Sequence, residues 1–550
     1  MTNKPNAQQN QIDAIESLNQ QIIDNDVPNA QPYPIEELMR AANDAGNSNI
    51  YKLVKQSQEQ AKNPIPATIG VNNLDEIYKI IESNAGAINF DAYIDALGGN
   101  HERYIKDGKS KIPQSIIAVV VSDYLINLTS QIGYKLAQLY SNDIEVKAGY
   151  LFNGKYWQPF NEGFIRNLLR DILVKMGYDP LEAQTVRLLN TLVQTFWTKA
   201  PKCPSRDNNQ ILINLDNGTL EISPDGSVKQ RKFSQCDYML YCLPYAYDAK
   251  ALSPLFTEYL NRVLPDKESQ NILQELMGSV FIKNINLEKI GILYGSGANG
   301  KSVLMKIIIT LLGNSNVSQM DLKALTTDRN ADNNRAQLMG KLLNFAPEIN
   351  AKGEQAHDLI KRMASGEAIQ VKILYKDTIT ISDYAKLIFN ANMLPSDVEL
   401  SHGFFRRFLI VEFDQTISDK EKDPELANNI IANELPAVLN WMIEGAKRLQ
   451  QNKKFSMCKK SDDLLNRYRL ESDVVAMWIE ERGYIPHEFL TKLLKDLTPD
   501  LRDFAMSGGY KSPSDKTIAE RMRNLGFKTE KPKGYPTRIY ITNHININKN

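Results

Sequence analysis

The stretch Lys289-Ile-Gly-Ile-Leu-Tyr294-Gly295-Ser-Gly-Ala-Asn-Gly300-Lys301-Ser302, running on to Leu312, decides how this chain is read. Residues 289–294 are a short apolar run that ends at a glycine-rich turn, the pattern of a buried strand. Residues 295–302 match the phosphate-loop pattern GxxxxGK[ST] in full. Glycines let backbone N–H groups turn inward around phosphate oxygens. In such a loop Lys301 reaches the β and γ phosphates, and the Ser302 hydroxyl takes Mg²⁺. Apolar spacing from Lys301 to Leu312 predicts a helix whose positive end meets the anion. Gly295, Ser296, Gly297, Ala298, Asn299, Gly300, Lys301 and Ser302 are therefore the expected nucleoside-triphosphate site. A glycine turn with a coincidental lysine would not explain the strand before it and the helix after it.

Downstream, strands and helices alternate to about residue 415, which is the α/β signature. Gly340-Lys341-Leu-Leu-Asn-Phe-Ala-Pro-Glu348 reads as a strand ending in a carboxylate. An acid at the tip of a strand beside the phosphate loop can orient an attacking water; Glu348 is also a candidate Mg²⁺ partner with Ser302. Lys386-Leu-Ile-Phe-Asn-Ala-Asn392-Met-Leu-Pro395 is another apolar strand ending in an amide. Asn392 is favoured as a γ-phosphate contact, with Asn390 the alternative. In Gly403-Phe-Phe-Arg406-Arg407-Phe-Leu-Ile-Val-Glu-Phe413, two arginines precede a last strand. Either Arg406 or Arg407 could stabilise transition-state charge at a neighbouring subunit's site; pairing with surface acids is the plain alternative. Residues 361–376 hold four basic side chains, Lys361, Arg362, Lys372 and Lys376, one acid, and Tyr375. Cations beside an aromatic ring suit single-stranded nucleic acid, although an ordinary solvated hairpin has the same composition.

The surroundings set bounds. The chain has 550 residues, 42% of them hydrophobic, so it buries real cores rather than being mostly disordered. Its 65 Lys and Arg balance 65 Asp and Glu, which argues against a polycation that coats nucleic acid but not against local patches. The four cysteines, Cys203, Cys236, Cys242 and Cys458, form no CxxC pair, so neither a disulfide framework nor a structural zinc site is expected. The longest apolar run, Ile116 to Val121, is far short of the roughly 18–20 residues that span a bilayer. No signal-peptide pattern opens the sequence, and a soluble protein of a bacterial host cytoplasm is expected.

Residues 1–73 are expected to be a polar, partly disordered tail, with a short amphipathic helix at Ile12 to Ile23 that could form on a partner. Residues 74–253 read as a mixed α+β domain, with helices at Leu74–Ile81, Ser115–Leu139 and Phe164–Met176. It also holds hairpins around Asn153-Gly154 and Asn217-Gly218. Residues 254–452 hold the nucleotide core. Residues 453–463 look like a linker. The remainder ends in a helix at Ser514–Leu525, basic residues and a strand at Arg538–Ile541, the order of a winged-helix-like module. Residues 501–550 carry ten basic and four acidic side chains. Arg521, Arg523 and Lys528 are its candidate duplex contacts, followed by Lys531 and Lys533.

Taken together, these segments resemble superfamily 3 helicases, in the phage, plasmid and poxvirus primase–helicase branch. The loop Gly295-x-Gly297-x-Asn299-Gly300-Lys301-Ser302, Glu348, Asn392 with Pro395, and Gly403 to Phe413 are similar to that family's Walker A, Walker B, motif C and arginine-finger segments. Residues 361–376 resemble its channel hairpin. Tyr150 to Trp157, Asn217-Gly218-Thr219-Leu220 and Leu243-Pro244-Tyr245 look like signposts of the domain that precedes the ATPase. The likeness spans roughly residues 147–480. Pro347 stands before Glu348, where many ATPases have a second acid, leaving Mg²⁺ mainly to Ser302, waters and phosphate.

The resemblance implies an AAA+-like α/β ATPase in a homo-oligomeric ring, a hexamer, that threads single-stranded DNA and unwinds forks 3′ to 5′. ATP would sit between subunits, with duplex origin DNA on the C-terminal module. No primase activity is expected of the chain: Asp143-Ile-Glu145 is its single close acid pair near the right place. A separate primase or polymerase would be a partner. The use would be replication of a phage, plasmid or integrated element. Two alternatives stay open: a motor that does not unwind, and an origin-binding initiator whose ATP site drives assembly.

Overall fold

The computed structural model describes residues 73–139, 149–203, 210–283, 285–349, 357–372, 378–395 and 400–543. The expected tail up to residue 72, its Ile12–Ile23 helix, the Asp143–Glu145 pair, and Tyr375 and Lys376 lie outside them.

The described residues fall into two units. One, residues 87–120, contains a helix at Phe90–Ala96, capped by Asn89, and a small ribbon of Ile105–Lys106 against Lys109–Ser110.

The other unit, residues 73–86 and 121–543, contains everything that positions the site. The helix expected at Ser115–Leu139 ends earlier, as Gln114–Gln131, and Lys135–Leu139 is a strand. Gly133, at φ +88°, breaks the helix. That strand joins the predicted hairpin Gly149–Phe152/Trp157–Phe160 and Lys202–Cys203 in a four-stranded sheet. A second sheet is a meander of Ile211–Leu215, Gly218–Ile222 and Val228–Arg231. The two are tied by Lys155, whose ammonium donates to the Asp216 carboxylate at 2.6 Å, while Asn214 Nδ2 donates to the Lys155 carbonyl.

The central sheet has five parallel strands: β1 (Ile290–Tyr294), β2 (Val317–Ser318), β3 (Leu343–Ala346), β4 (Lys386–Ala391) and β5 (Phe408–Glu412), in the spatial order β2-β3-β4-β1-β5. Both faces are covered, which is why the strands read as near-continuous apolar runs. Leu293, Phe345, Ile388 and Leu409 join one core with the helices Pro254–Val263, Lys267–Gly278, Lys301–Leu312 and Leu435–Asn452. Ile290, Ile292, Phe389 and Ile410 join another, with Phe404, Phe408 and the buried face of a hairpin, Ile369–Lys372 against Thr378–Ile381.

The segment read as a linker is not one throughout. Lys453 closes the preceding helix at φ +56°, and Lys459–Glu471 is a new helix. Its Leu464 and Tyr468 enter the second core, and the Tyr468 hydroxyl donates to the Pro395 carbonyl at 2.7 Å. Beyond it, Val474–Glu481, Tyr484–Leu493, Leu494–Ser507, Asp515–Asn524, Thr529–Glu530 and Arg538–Asn543 run helix, strand, helix, helix, strand, strand around a core centred on Trp478. The sheet order places the last strand between the other two. No helix among the described residues is long and apolar enough to cross a membrane.

The helices Lys267–Gly278 and Leu435–Asn452 meet backbone to backbone. A Cβ on Gly278 would collide with the Ala446 amide and the Met442 carbonyl, and one on Gly445 with the Gln274 carbonyl. Gly445→Ala should therefore destabilise the fold by about 1–3 kcal/mol, the usual cost of overpacking. Urea unfolding should show a lower midpoint at unchanged slope.

Candidate functional site

In a parallel sheet all carboxyl ends share one edge, and ligands bind there where the connections switch direction. β1 lies between β4 and β5 and delivers residues 295–302 to that edge. The loop needs unusual backbone: Gly297 lies at φ +109°, Ala298 at +51° and Gly300 at +85°. A Cβ on Gly295 would run into Asn299 and the Phe413 carbonyl, whereas one on Gly297 would meet open space. The helix Lys301–Leu312 begins directly after Gly300, with its amide end at the loop.

Lys301 is buried, and burial lowers its pKa from the usual lysine value. Its ammonium donates to Gly295 O at 2.7 Å, Asn299 Oδ1 at 3.0 Å and Asn392 Oδ1 at 3.3 Å. Asn299 is buried as well, and its Nδ2 donates to Phe413 O at 3.0 Å, just past β5. The Ile417 amide donates to Ala298 O, and the buried Tyr259 hydroxyl donates to Gly300 O. Ser302 is exposed at the start of the helix.

The geometry separates the two asparagines. Two residues along a strand and four along a helix cover similar distances, about 6–7 Å. Asn392 accordingly meets Lys301, while Asn390 is buried against Met305 one helical turn away, with Nδ2 at 3.5 Å from Sδ. Glu348 is exposed two residues past the end of β3, on the same carboxyl edge.

The arginines lie at the other edge. Phe408 pairs with Ile290 and Glu412 with Tyr294, so Arg406 and Arg407 precede β5 where the strands begin, about 15–20 Å from the loop. Arg407 is bound within its own chain, donating to Lys361 O, Gly403 O and Ser365 Oγ. Arg406 is exposed, with a 3.3 Å ion pair to the half-buried Glu288. Lys361 pairs with Asp358, and Arg362 donates to Ala368 O. Lys372 is exposed at the end of its hairpin strand. In the C-terminal module Arg521 is turned inward to Asp473, Arg523 is exposed, and Lys528 pairs with Glu530 and lies 4.5 Å from the Tyr540 ring centroid.

Sequence reasoning missed Tyr259, Phe413 and the bracing role of Asn299. Asn299 lies inside the motif and carries a signal of its own; Tyr259 and Phe413 come from distant elements whose spacing gives none.

The site is thus a glycine-rich loop folded around a buried lysine, at the carboxyl edge of a parallel sheet. Comparison with known proteins gives two family matches. Residues 133–265 match a family described as "D5 N terminal like", and residues 293–407 a family of unknown function, DUF5906. A "putative helicase" of Acanthamoeba polyphaga mimivirus is 26% identical over 216 residues, covering 38% of this chain and 22% of the viral protein. A "putative helicase" of Invertebrate iridescent virus 3 is 22% identical over 311 residues, 50% of this chain and 32% of that protein. The matches therefore span a third or less of these relatives. Two apo structures of the NrS-1 C terminal region align at 13% identity with TM-scores of 0.45 and 0.46, over 76% of this chain and 98% of theirs. The family and viral matches support, at low identity, a relation to D5-like helicase and primase-type replication proteins.

Two substitutions test the geometry. Arg407→Ala strands the acceptors it serves and should cost about 1–3 kcal/mol in denaturant unfolding, whereas Arg406→Ala should stay within about 0.5 kcal/mol of the parent. Asn299→Ala should lower stability by a similar 1–3 kcal/mol through the orphaned Phe413 carbonyl, and should weaken binding of a fluorescent ATP analogue.

Proposed function

We propose that this chain is an ATP-dependent DNA helicase of the superfamily 3 type, with an AAA+-like core, that acts as a 3′ to 5′ ring translocase, a hexamer, in replication of a mobile element. The observation that carries the reading is the division of labour across the sheet. Lys301, Asn392 and Glu348 come from the carboxyl edge, and the exposed Arg406 from the amino edge of the same sheet. Arg406 cannot reach its own loop, so its use in hydrolysis requires a neighbouring copy.

The residues present fit ATP. The loop amides follow the left-handed turns at Gly297, Ala298 and Gly300, and Lys301 is already surrounded by oxygens that a phosphate can replace. Mg²⁺ would be held by Ser302, Glu348, phosphate and water. When bound, Mg²⁺ neutralises phosphate charge. Glu348 orients the attacking water, and Asn392 holds the γ-phosphate end through its amide. Arg406 of a neighbouring copy counters the developing charge. Lys361, Arg362 and Lys372 contact single-stranded DNA, and Tyr375 and Lys376 are assigned to the same contact from the sequence. The C-terminal module, winged-helix-like in its element order, holds duplex DNA.

Strand displacement on a fork with a 3′ tail tests this. Lys301→Ala and Glu348→Gln should abolish ATP turnover and unwinding, each by about 10²-fold or more. An assembly-only initiator would tolerate Glu348→Gln. Mixing inactive Arg406→Ala with inactive Lys301→Ala subunits should restore turnover, because a hybrid interface is complete. Failure to restore it removes the trans arrangement.

A further inference from the structure

The C-terminal module offers two basic surfaces, and the structure distinguishes them. The helix Asp515–Asn524 has three basic and two acidic side chains. Arg521 is drawn inward to Asp473, and Asp515 pairs with Arg502. What this helix exposes is therefore mixed: Lys516, Glu520 and Arg523.

The turn between Thr529–Glu530 and Arg538–Asn543 is different. Its sequence, Lys531-Pro-Lys-Gly-Tyr-Pro-Thr-Arg538, has three cations and no acid. Lys531, Lys533 and Arg538 are all exposed. The neighbouring acid, Glu530, is engaged by Lys528 and by the Tyr540 hydroxyl. Gly534 adopts φ +81°, and the Tyr535 amide closes the turn on the Pro532 carbonyl at 3.0 Å. Pro532 and Pro536 limit the backbone freedom on either side. Tyr535 lies in this turn and is 63% exposed. A large ring kept in water on a tight turn, with exposed cations before and after it in the chain, suits an unstacked base or terminal base pair and its phosphates.

We infer that this turn, rather than the helix Asp515–Asn524, is the module's principal DNA contact, and that Tyr535 stacks on the exposed base pair where duplex opens into single strands. The inference rests on the reading of the C-terminal module as a DNA-binding element and specifies its site and substrate feature.

The test uses the full chain with three DNAs: a fork carrying 2-aminopurine at its last base pair, the same duplex with hairpin-closed ends, and a single strand. Tyr535→Ala should weaken fork binding about five-fold or more, the low end of base stacking. It should abolish the 2-aminopurine response and leave the closed duplex unchanged; Tyr535→Phe should behave as the parent. Lys531→Ala with Lys533→Ala and Arg538→Ala should reduce the salt slope of fork binding by about two to three units. Parent-like fork binding by these variants, with loss in Lys516→Ala/Arg523→Ala, overturns the inference and leaves duplex binding by the module standing. No change in any variant overturns both.

Discussion

A buried ammonium is tolerable only when oxygens surround it, and the neighbourhood of Lys301 is organised by that requirement. Its acceptors come from separate places: Gly295 from the end of β1, Asn299 from the loop itself, and Asn392 from beyond β4. Asn299 also reaches the Phe413 carbonyl past β5. One small network thereby pins the ends of three adjacent strands to a single cation. The left-handed residues follow from it, because the chain must double back within six residues to bring Gly295 O and Asn299 Oδ1 to the same ammonium.

The sheet's parallel order gives that network direction. β5 carries a carbonyl used by the loop at one end and a pair of arginines at the other. Arg407 is spent on fastening the turn before β5 to the helix His357–Ala364 and Ser365, which leaves the adjacent Arg406 outside. Two neighbouring residues of one chemistry therefore have different surroundings: one is an internal brace, the other a surface cation.

How much of this was legible beforehand depends on how local the cause is. The strand and helix flanking residues 295–302 were readable because strand pattern, glycine turn and helix follow one another without a break. The choice of Asn392 over Asn390 rested on its place at the strand's end, and the helix spacing of Lys301 and Met305 supplies the physical reason. Residues 453–463 misled because their polar side chains hide a helix whose holding contacts, Leu464 and Tyr468, find partners as far back as Pro395. The overlong helix at Ser115–Leu139 came from apolar periodicity continuing past Gly133, where backbone conformation rather than hydrophobicity sets the stop. The ion pair of Arg521 was hidden because its partner, Asp473, is 48 residues away.

The glycine crossing of Lys267–Gly278 and Leu435–Asn452 has a mechanical consequence. Where side chains interdigitate, small rotamer changes let one helix slide on another. Backbone resting on backbone offers no such adjustment. The two helices are therefore a single stiff strut beneath one face of the sheet, and displacement at the carboxyl edge has to be taken up elsewhere.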